Sequence, residues 1–152
     1  MSEQLDSQAE IQAAQEEIVA SFSLFDDWTD RYQYIIDLGK GLEDLPAELK
    51  TEDNRLKGCQ SQVWIVTEER DNRLYFRAIS DSSIVSGLIA LMLQVYSGRA
   101  PAAIIASPPE FIAKIELDDH LSPTRSNGLH ALVQQIRQFA VETLAANHQQ
   151  EH

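Results

Sequence analysis

The sequence predicts an α+β fold, a small antiparallel sheet of two or three strands packed against several helices. Three observations carry this. Apolar residues recur at three- and four-residue steps through residues 11–39; two β-branched and aromatic runs follow within 63–79; helical spacing then returns and holds to the C-terminus. The order α-α-β-β-α-α-α fits a single domain spanning 1–152, with helices covering the sheet.

Each element follows from local chemistry. Ile11, Ala14, Ile18, Phe22 and Phe25 mark one face of a first helix. Asp26 and Asp27 suit a break and a new N-cap. Trp28, Tyr32, Ile35, Ile36 and Gly39 repeat the period, with Gly39 and Gly41 as stop signals. The acidic stretch 43–54 contains Pro46 and reads as loop or a single helical turn. Val63-Trp64-Ile65-Val66-Thr67 and Leu74-Tyr75-Phe76-Arg77-Ala78-Ile79 are strands. Asp71-Asn72 between them tolerates the positive φ angles of a tight hairpin turn. Arg55-Leu56-Lys57 is a candidate third strand. Asp81, Ser82 and Ser83 offer an N-cap to a central buried helix over 84–97, ended by Gly98. Pro101 and Pro109 start two short helices, and Ser122-Pro123 starts the last one. Leu129, Leu132, Val133, Ile136, Phe139, Ala140 and Leu144 form its buried stripe.

Composition narrows the function. The chain has 152 residues, 43% of them hydrophobic, enough for a core without disulfides or metal. Twelve basic against 24 acidic residues give a net charge of -12, which argues against nucleic acid and against an anionic membrane surface. Residues 1–54 carry 14 acidic and 3 basic residues, so the acidity is almost all N-terminal. It is either a solvated helical surface or a face that steers a basic partner. The N-terminus lacks the basic start and apolar run of a secretory signal, and no stretch reaches the roughly 18 apolar residues of a membrane span. A free thiol fits a reducing compartment, and a cytoplasmic location is expected. The C-terminal run 148–152 is given no function.

One cysteine excludes an internal disulfide, a CxxC pair and a cysteine-built zinc site. Cys59 lies in Leu56-Lys57-Gly58-Cys59-Gln60-Ser61-Gln62-Val63-Trp64, with polar neighbours and a preceding glycine that permits a sharp tip. Two readings stand here, a small buried hydrophobe and a functional thiol. For a functional thiol, hydrolysis would need a nearby histidine, and nothing around His120 or His130 recommends either. The four histidines show no metal-ligand spacing, and glycine-rich phosphate loops are absent. Sulfur relay remains. A thiolate on a mobile tip can take the outer sulfur of a persulfide and release it to another thiol.

At Gly58-Cys59-Gln60-Ser61-Gln62-Val63-Trp64 the chain resembles the SufE family, the sulfur acceptors of iron–sulfur cluster assembly. The resemblance runs through Trp28 with Arg31-Tyr32, Tyr34-Ile35-Ile36-Asp37-Leu38-Gly39, Ser80-Asp81 and Ile84-Val85-Ser86-Gly87-Leu88-Ile89-Ala90. It ends in His120-Leu121-Ser122-Pro123-Thr124-Arg125-Ser126-Asn127-Gly128-Leu129. The related CsdE branch has Glu-Asn-Arg after its cysteine, so Gln60-Ser61-Gln62 favours the SufE branch. Thr124, where serine is common, and the long acidic N-terminus are departures.

The resemblance implies an α+β fold similar to IscU-type scaffolds. It implies that Cys59 attacks the persulfide of a SufS-like cysteine desulfurase, stimulates that enzyme by removing product, and hands the sulfur to a SufBCD-like scaffold. Pyridoxal phosphate then belongs to the partner; no cofactor or metal is expected here, and no autonomous small-molecule catalysis. The thiol is implied to rest sheltered against apolar residues, on a loop of about 55–62 that swings out on docking. The rival reading is a non-covalent module that activates a desulfurase allosterically. Monomer and homodimer both stay open.

Other residues carry two readings each. Arg125 sits in the first turn of the last helix, where the dipole disfavours a cation, and either makes a structural salt bridge or approaches the thiol loop or partner. Asp81 is an N-cap, to which the family block adds a role in holding the thiol loop. Gly58 shapes the tip, and Gln60 contacts the partner or fixes the tip. Arg55 and Lys57 would lower the thiol pKa if they pointed toward it. Trp64 is read as core packing and His120 as structural or exposed.

Overall fold

The computed structural model describes residues 2–150; the last residues of the run 148–152 lie outside them. Helix α1 (Ser2–Ser23) and helix α2 (Trp28–Gly39) come first. Two short 3-10 turns follow, Ala47–Leu49 and Glu52–Asn54. Strands β1 (Val63–Arg70) and β2 (Arg73–Ser80) form the hairpin. Then come α3 (Ser83–Tyr96), α4 (Pro101–Ala106), α5 (Phe111–Lys114), a 3-10 turn at Asp118–His120, and α6 (Pro123–Gln150). The architecture is α+β, as the periodicities predict.

The hairpin pairs antiparallel from Val63↔Ser80 to Arg70↔Arg73. Its turn is Asp71-Asn72, with φ of 52° and 65°, the mirror-image geometry that matches strand twist. Alternation turns Val63, Ile65, Leu74, Phe76 and Ala78 into the core. Trp64 therefore faces outward opposite Ile79 and is half-exposed, which overturns its assignment to the core. The candidate third strand reduces to one isolated bridge, Arg55↔Trp64.

Helix α3 is the buried centre, with Leu88, Ile89, Leu91, Met92 and Val95 nearly sealed from solvent. Its N-cap is Ser82, whose Oγ accepts from the Val85 N–H at 3.3 Å. At the crossing of α2 and α3, Gly39 and Gly87 bring backbone onto backbone. A Cβ on Gly87 would lie 2.1 Å from the Ile35 carbonyl oxygen, and one on Gly39 would lie 2.6 Å from the Gly87 nitrogen. Gly39 is thus a packing notch as well as a helix end; neither it nor Gly41 takes the left-handed stop conformation, which Gly98 does at φ +81°.

Helix α1 begins well before its first predicted apolar residue. Two buried polar side chains explain its place. Ser7 Oγ accepts from the Ala100 N–H at 2.8 Å, at the start of α4. Gln15 Oε1 accepts from the Phe111 N–H at 2.9 Å, at the start of α5, and its Nε2 donates to the Pro108 carbonyl at 3.2 Å. Neither short helix carries a side-chain cap of its own, and α1 satisfies one free N–H at the start of each. Helix α5 begins at Phe111, two residues past Pro109. On α6, Leu129, Leu132, Ile136 and Ala140 are buried, while Leu144 is 38% exposed and leaves the predicted stripe.

Candidate functional site

The thiol loop hangs between two ties. At one end the Leu56 N–H donates to the Val63 carbonyl at 2.8 Å, with the Leu56 side chain buried below. At the other, Gln62 and Asp81 bond reciprocally. The Gln62 N–H donates to Asp81 Oδ1 at 3.1 Å, and the Asp81 N–H donates to the Gln62 carbonyl at 3.3 Å. Asp81 is therefore a clasp on the loop; the N-cap role falls to Ser82. Gly58 turns the chain with φ of +82°, a conformation strained for any residue with a side chain. Cys59 is the tip, half-buried.

The sulfur rests on α6. A Cβ built on Gly128 would lie 2.9 Å from Cys59 Sγ, so the thiol occupies the space of the missing side chain. Beside it Leu56, Val63, Val85, Leu88, Ile89, Leu129 and Leu132 line a small, largely apolar pocket of about 20 Å³, room for about one water-sized group. Outside it Gly58, Gln60, Thr124 and Asn127 border an open hollow of about 300 Å³. Cys59 stands at the boundary between the two.

Burial pushes the Cys59 thiol above its ordinary pKa near 9; a backbone hydrogen bond at Ser61 opposes this, and the nearby Asp81 carboxylate adds to it. The thiol is thus held in its protonated, less reactive form. Arg55 and Lys57 do not act on it. Both pair with Glu52, at 3.8 Å each, so the condition under which they would lower the thiol pKa is not met. Arg125 is exposed, lines the thiol pocket, and makes no ion pair among the described residues. Of its two readings, the structural salt bridge is not formed among the described residues, and the side chain lies at the thiol pocket. Gln60 is exposed at the mouth.

No histidine borders Cys59 among the described residues. His130 Nε2 sits 2.9 Å from Asp118 Oδ2. The His120 ring stacks on Trp28 at 4.0 Å, and the Tyr32 hydroxyl donates to the His120 carbonyl. Arg31 lies over Trp28 and donates to the Phe25 carbonyl at 3.1 Å. Trp28, Arg31, Tyr32 and His120 thereby form one brace on the segment that feeds α6. Ser126 Oγ donates to Asp118 Oδ1 at 2.6 Å and ties that segment to the helix. Among the described residues no histidine lies beside Cys59 to serve as the base of a cysteine hydrolase, and no group of three metal-ligating side chains occurs.

The structure brings Cys59, Gly58, Gln60, Asp81 and Arg125, all singled out in the sequence, to one place. Sequence reasoning gave no role to Gly128, and noted Thr124 only as a departure. A glycine inside a helix was the available signal, since it costs about 1 kcal/mol relative to alanine and needs a packing reason.

Comparison with known proteins places the chain. Residues 16–140 match the family model described as "SufE: Fe-S metabolism associated domain". An uncharacterized SufE-like protein of Rhizobium etli is 43% identical over 140 residues, covering 88% of this chain and 94% of the relative. A second, from Rhizobium meliloti, is 38% identical over 136 residues, covering 86% and 97%. The solution structure of a hypothetical protein from Thermus thermophilus superposes with a TM-score of 0.71 at 17% identity, over 87% of this chain and 96% of that one, and shows the shared fold. The chain belongs to the SufE family, whose domain is associated with iron–sulfur metabolism.

Proposed function

We propose that the protein is a sulfur acceptor. Cys59 takes the sulfane sulfur held as a persulfide on a cysteine desulfurase, of the SufS kind, and passes it to an iron–sulfur assembly scaffold of the SufBCD kind. The observation that carries this is the placing of the chain's one thiol. It sits at a loop tip over an apolar floor, beside an open mouth, with no histidine lining either side among the described residues and no second thiol in the chain.

The chemistry balances without an external oxidant. Cys59 loses its proton to solvent and its thiolate attacks the outer sulfur of the donor persulfide. A new S–S bond forms on Cys59 as the donor's S–S bond breaks, and the donor cysteine leaves as a thiolate. A thiol of the next protein repeats the step on the Cys59 persulfide. A thiol held neutral at rest has to leave its apolar seat before it attacks, so docking draws the tip toward the open hollow. Release of the sulfur frees the desulfurase for its next turnover, which is how the acceptor stimulates it. No helix among the described residues is long and apolar enough to cross a membrane.

The test is mass spectrometry after incubation with a desulfurase and free cysteine. A gain of one sulfur, about 32 Da, reversible by reductant and absent in Cys59→Ser, is expected. If Cys59→Ser stimulates the desulfurase as fully as the parent, the relay fails and non-covalent activation takes its place.

A further inference from the structure

The seat of the thiol is made by an absence. Helix α6 turns Thr124, Arg125, Gly128, Leu129 and Leu132 toward the loop, a face spaced at three and four residues. Gly128 lies at its middle and is buried, although glycine is a poor choice inside a helix. Its backbone is helical, so no unusual φ requires it. What requires it is the sulfur, 2.9 Å from where its Cβ would be and closer than real side chains approach one another. The next neighbour of that Cβ is Cys59 Cβ at 3.7 Å, an ordinary contact, so the conflict lies with the sulfur atom alone.

We propose that Gly128 is the positioning residue that holds Cys59 in its sheltered state, and that any side chain at this position drives the thiol out of its seat. The meaning of this for sulfur delivery rests on the acceptor reading above. The partner that yields is the loop. Helix α6 is 28 residues long and is packed into the core through Leu129, Leu132, Ile136 and Ala140. The tip between Leu56 and Gln62 is tied to the hairpin and to Asp81 at its two ends and faces an open hollow. A methyl group on Gly128 thus shifts the sulfur toward Gln60, Thr124 and Asn127, where water replaces the apolar floor. Gly128 sets how often the thiol is out without any partner present.

The experiment uses the full chain without desulfurase. Iodoacetamide alkylation of Cys59 is followed across pH in the parent and in Gly128→Ala, and urea midpoints are measured for both. Gly128→Ala is expected to alkylate several-fold faster near neutral pH, because the displaced sulfur is better exposed and less held in its protonated form. Its pH midpoint moves down toward that of an ordinary thiol, and its urea midpoint is equal or higher because alanine favours the helix. A folded Gly128→Ala that alkylates no faster than the parent overturns the proposal. If instead Gly128→Ala unfolds at lower urea, the change is repeated in a Cys59→Ala background. Recovery of the midpoint there assigns the conflict to the sulfur and supports the proposal; a loss that persists without the sulfur overturns it. Neither readout involves sulfur transfer, so this proposal and the acceptor reading fail separately.

Discussion

Two glycine contacts in this molecule look alike and do opposite things. At Gly87 the missing side chain admits the backbone of α2, and an added Cβ would lie 2.1 Å from the Ile35 carbonyl oxygen. At Gly128 it admits the sulfur of Cys59, 2.9 Å away. The first neighbour is main chain of α2 at the crossing with α3, with Ile35 fully enclosed. The second is a side chain at the tip of a half-buried loop. On the proposals above, the fold is fixed where neither partner yields, and the thiol acts where one partner does. A close contact is therefore read by asking which side yields.

The largest effect expected tests the rigid half of this comparison. Gly87→Ala forces α2 and α3 apart, and overpacking of this kind costs about 3 kcal/mol or more, well beyond the roughly 1 kcal/mol that alanine returns in helix propensity. Urea denaturation checks it, and the midpoint is expected to fall by at least about 1 M at ordinary m-values. A Gly87→Ala variant as stable as the parent would show that this crossing also yields and would end the contrast with Gly128.

The mobile half is sharpened at Asp81, which acts on the thiol in two separable ways. Its carboxylate raises the thiol pKa through charge, and its Oδ1 clasps the Gln62 N–H. Asp81→Asn keeps an acceptor at Oδ1 and removes the charge. Asp81→Ala removes both. Alkylation of Cys59 is expected to rise modestly in the asparagine variant and about two- to fivefold in the alanine one, the factor that follows from losing one exposed hydrogen bond of about 0.5–1 kcal/mol. Alanine and asparagine behaving alike would assign the whole effect to charge and leave the clasp idle.

How much of this was legible in the sequence follows the same division. The hairpin was, because Asp71-Asn72 states its turn chemistry locally and β-branched runs state the strands. Cys59 with Gly58, Gln60, Asp81 and Arg125 was, through the blocks that resemble the family. Contacts between distant segments were not. Ser7 and Gln15 look like ordinary polar positions of an acidic helix, yet they supply the caps that α4 and α5 lack, 93 and 96 residues away. Arg55 and Lys57 look poised to activate a thiol, and Glu52 takes both. Trp64 was misplaced by its size, since strand alternation outranked its hydrophobicity and put Val63 and Ile65 inside. Gly128 was visible only as an unexplained cost inside a helix, and its reason is a sulfur atom 69 positions away in the chain.

The smallest expected effect asks what the sheltered thiol contributes to the fold. The folded-state pKa of Cys59 is raised, chiefly by burial, above the ordinary value near 9 that an unfolded chain shows. Below that value both states hold the proton, and the contribution of the buried thiol to stability is fully present. As pH rises, the unfolded chain loses its proton first while the folded one keeps it, so that contribution is lost as pH climbs through the folded value. Stability of the parent relative to Cys59→Ser is therefore expected to fall between about pH 8 and about pH 10, by less than about 1 kcal/mol once solvent screening of a half-exposed group is allowed for. Urea midpoints of the pair at the two pH values measure it. In Gly128→Ala, with the sulfur displaced, the same pH-dependent difference is expected to shrink. A difference of unchanged size there would mean that the thiol had stayed in its seat, and the two glycine contacts would then be equally rigid.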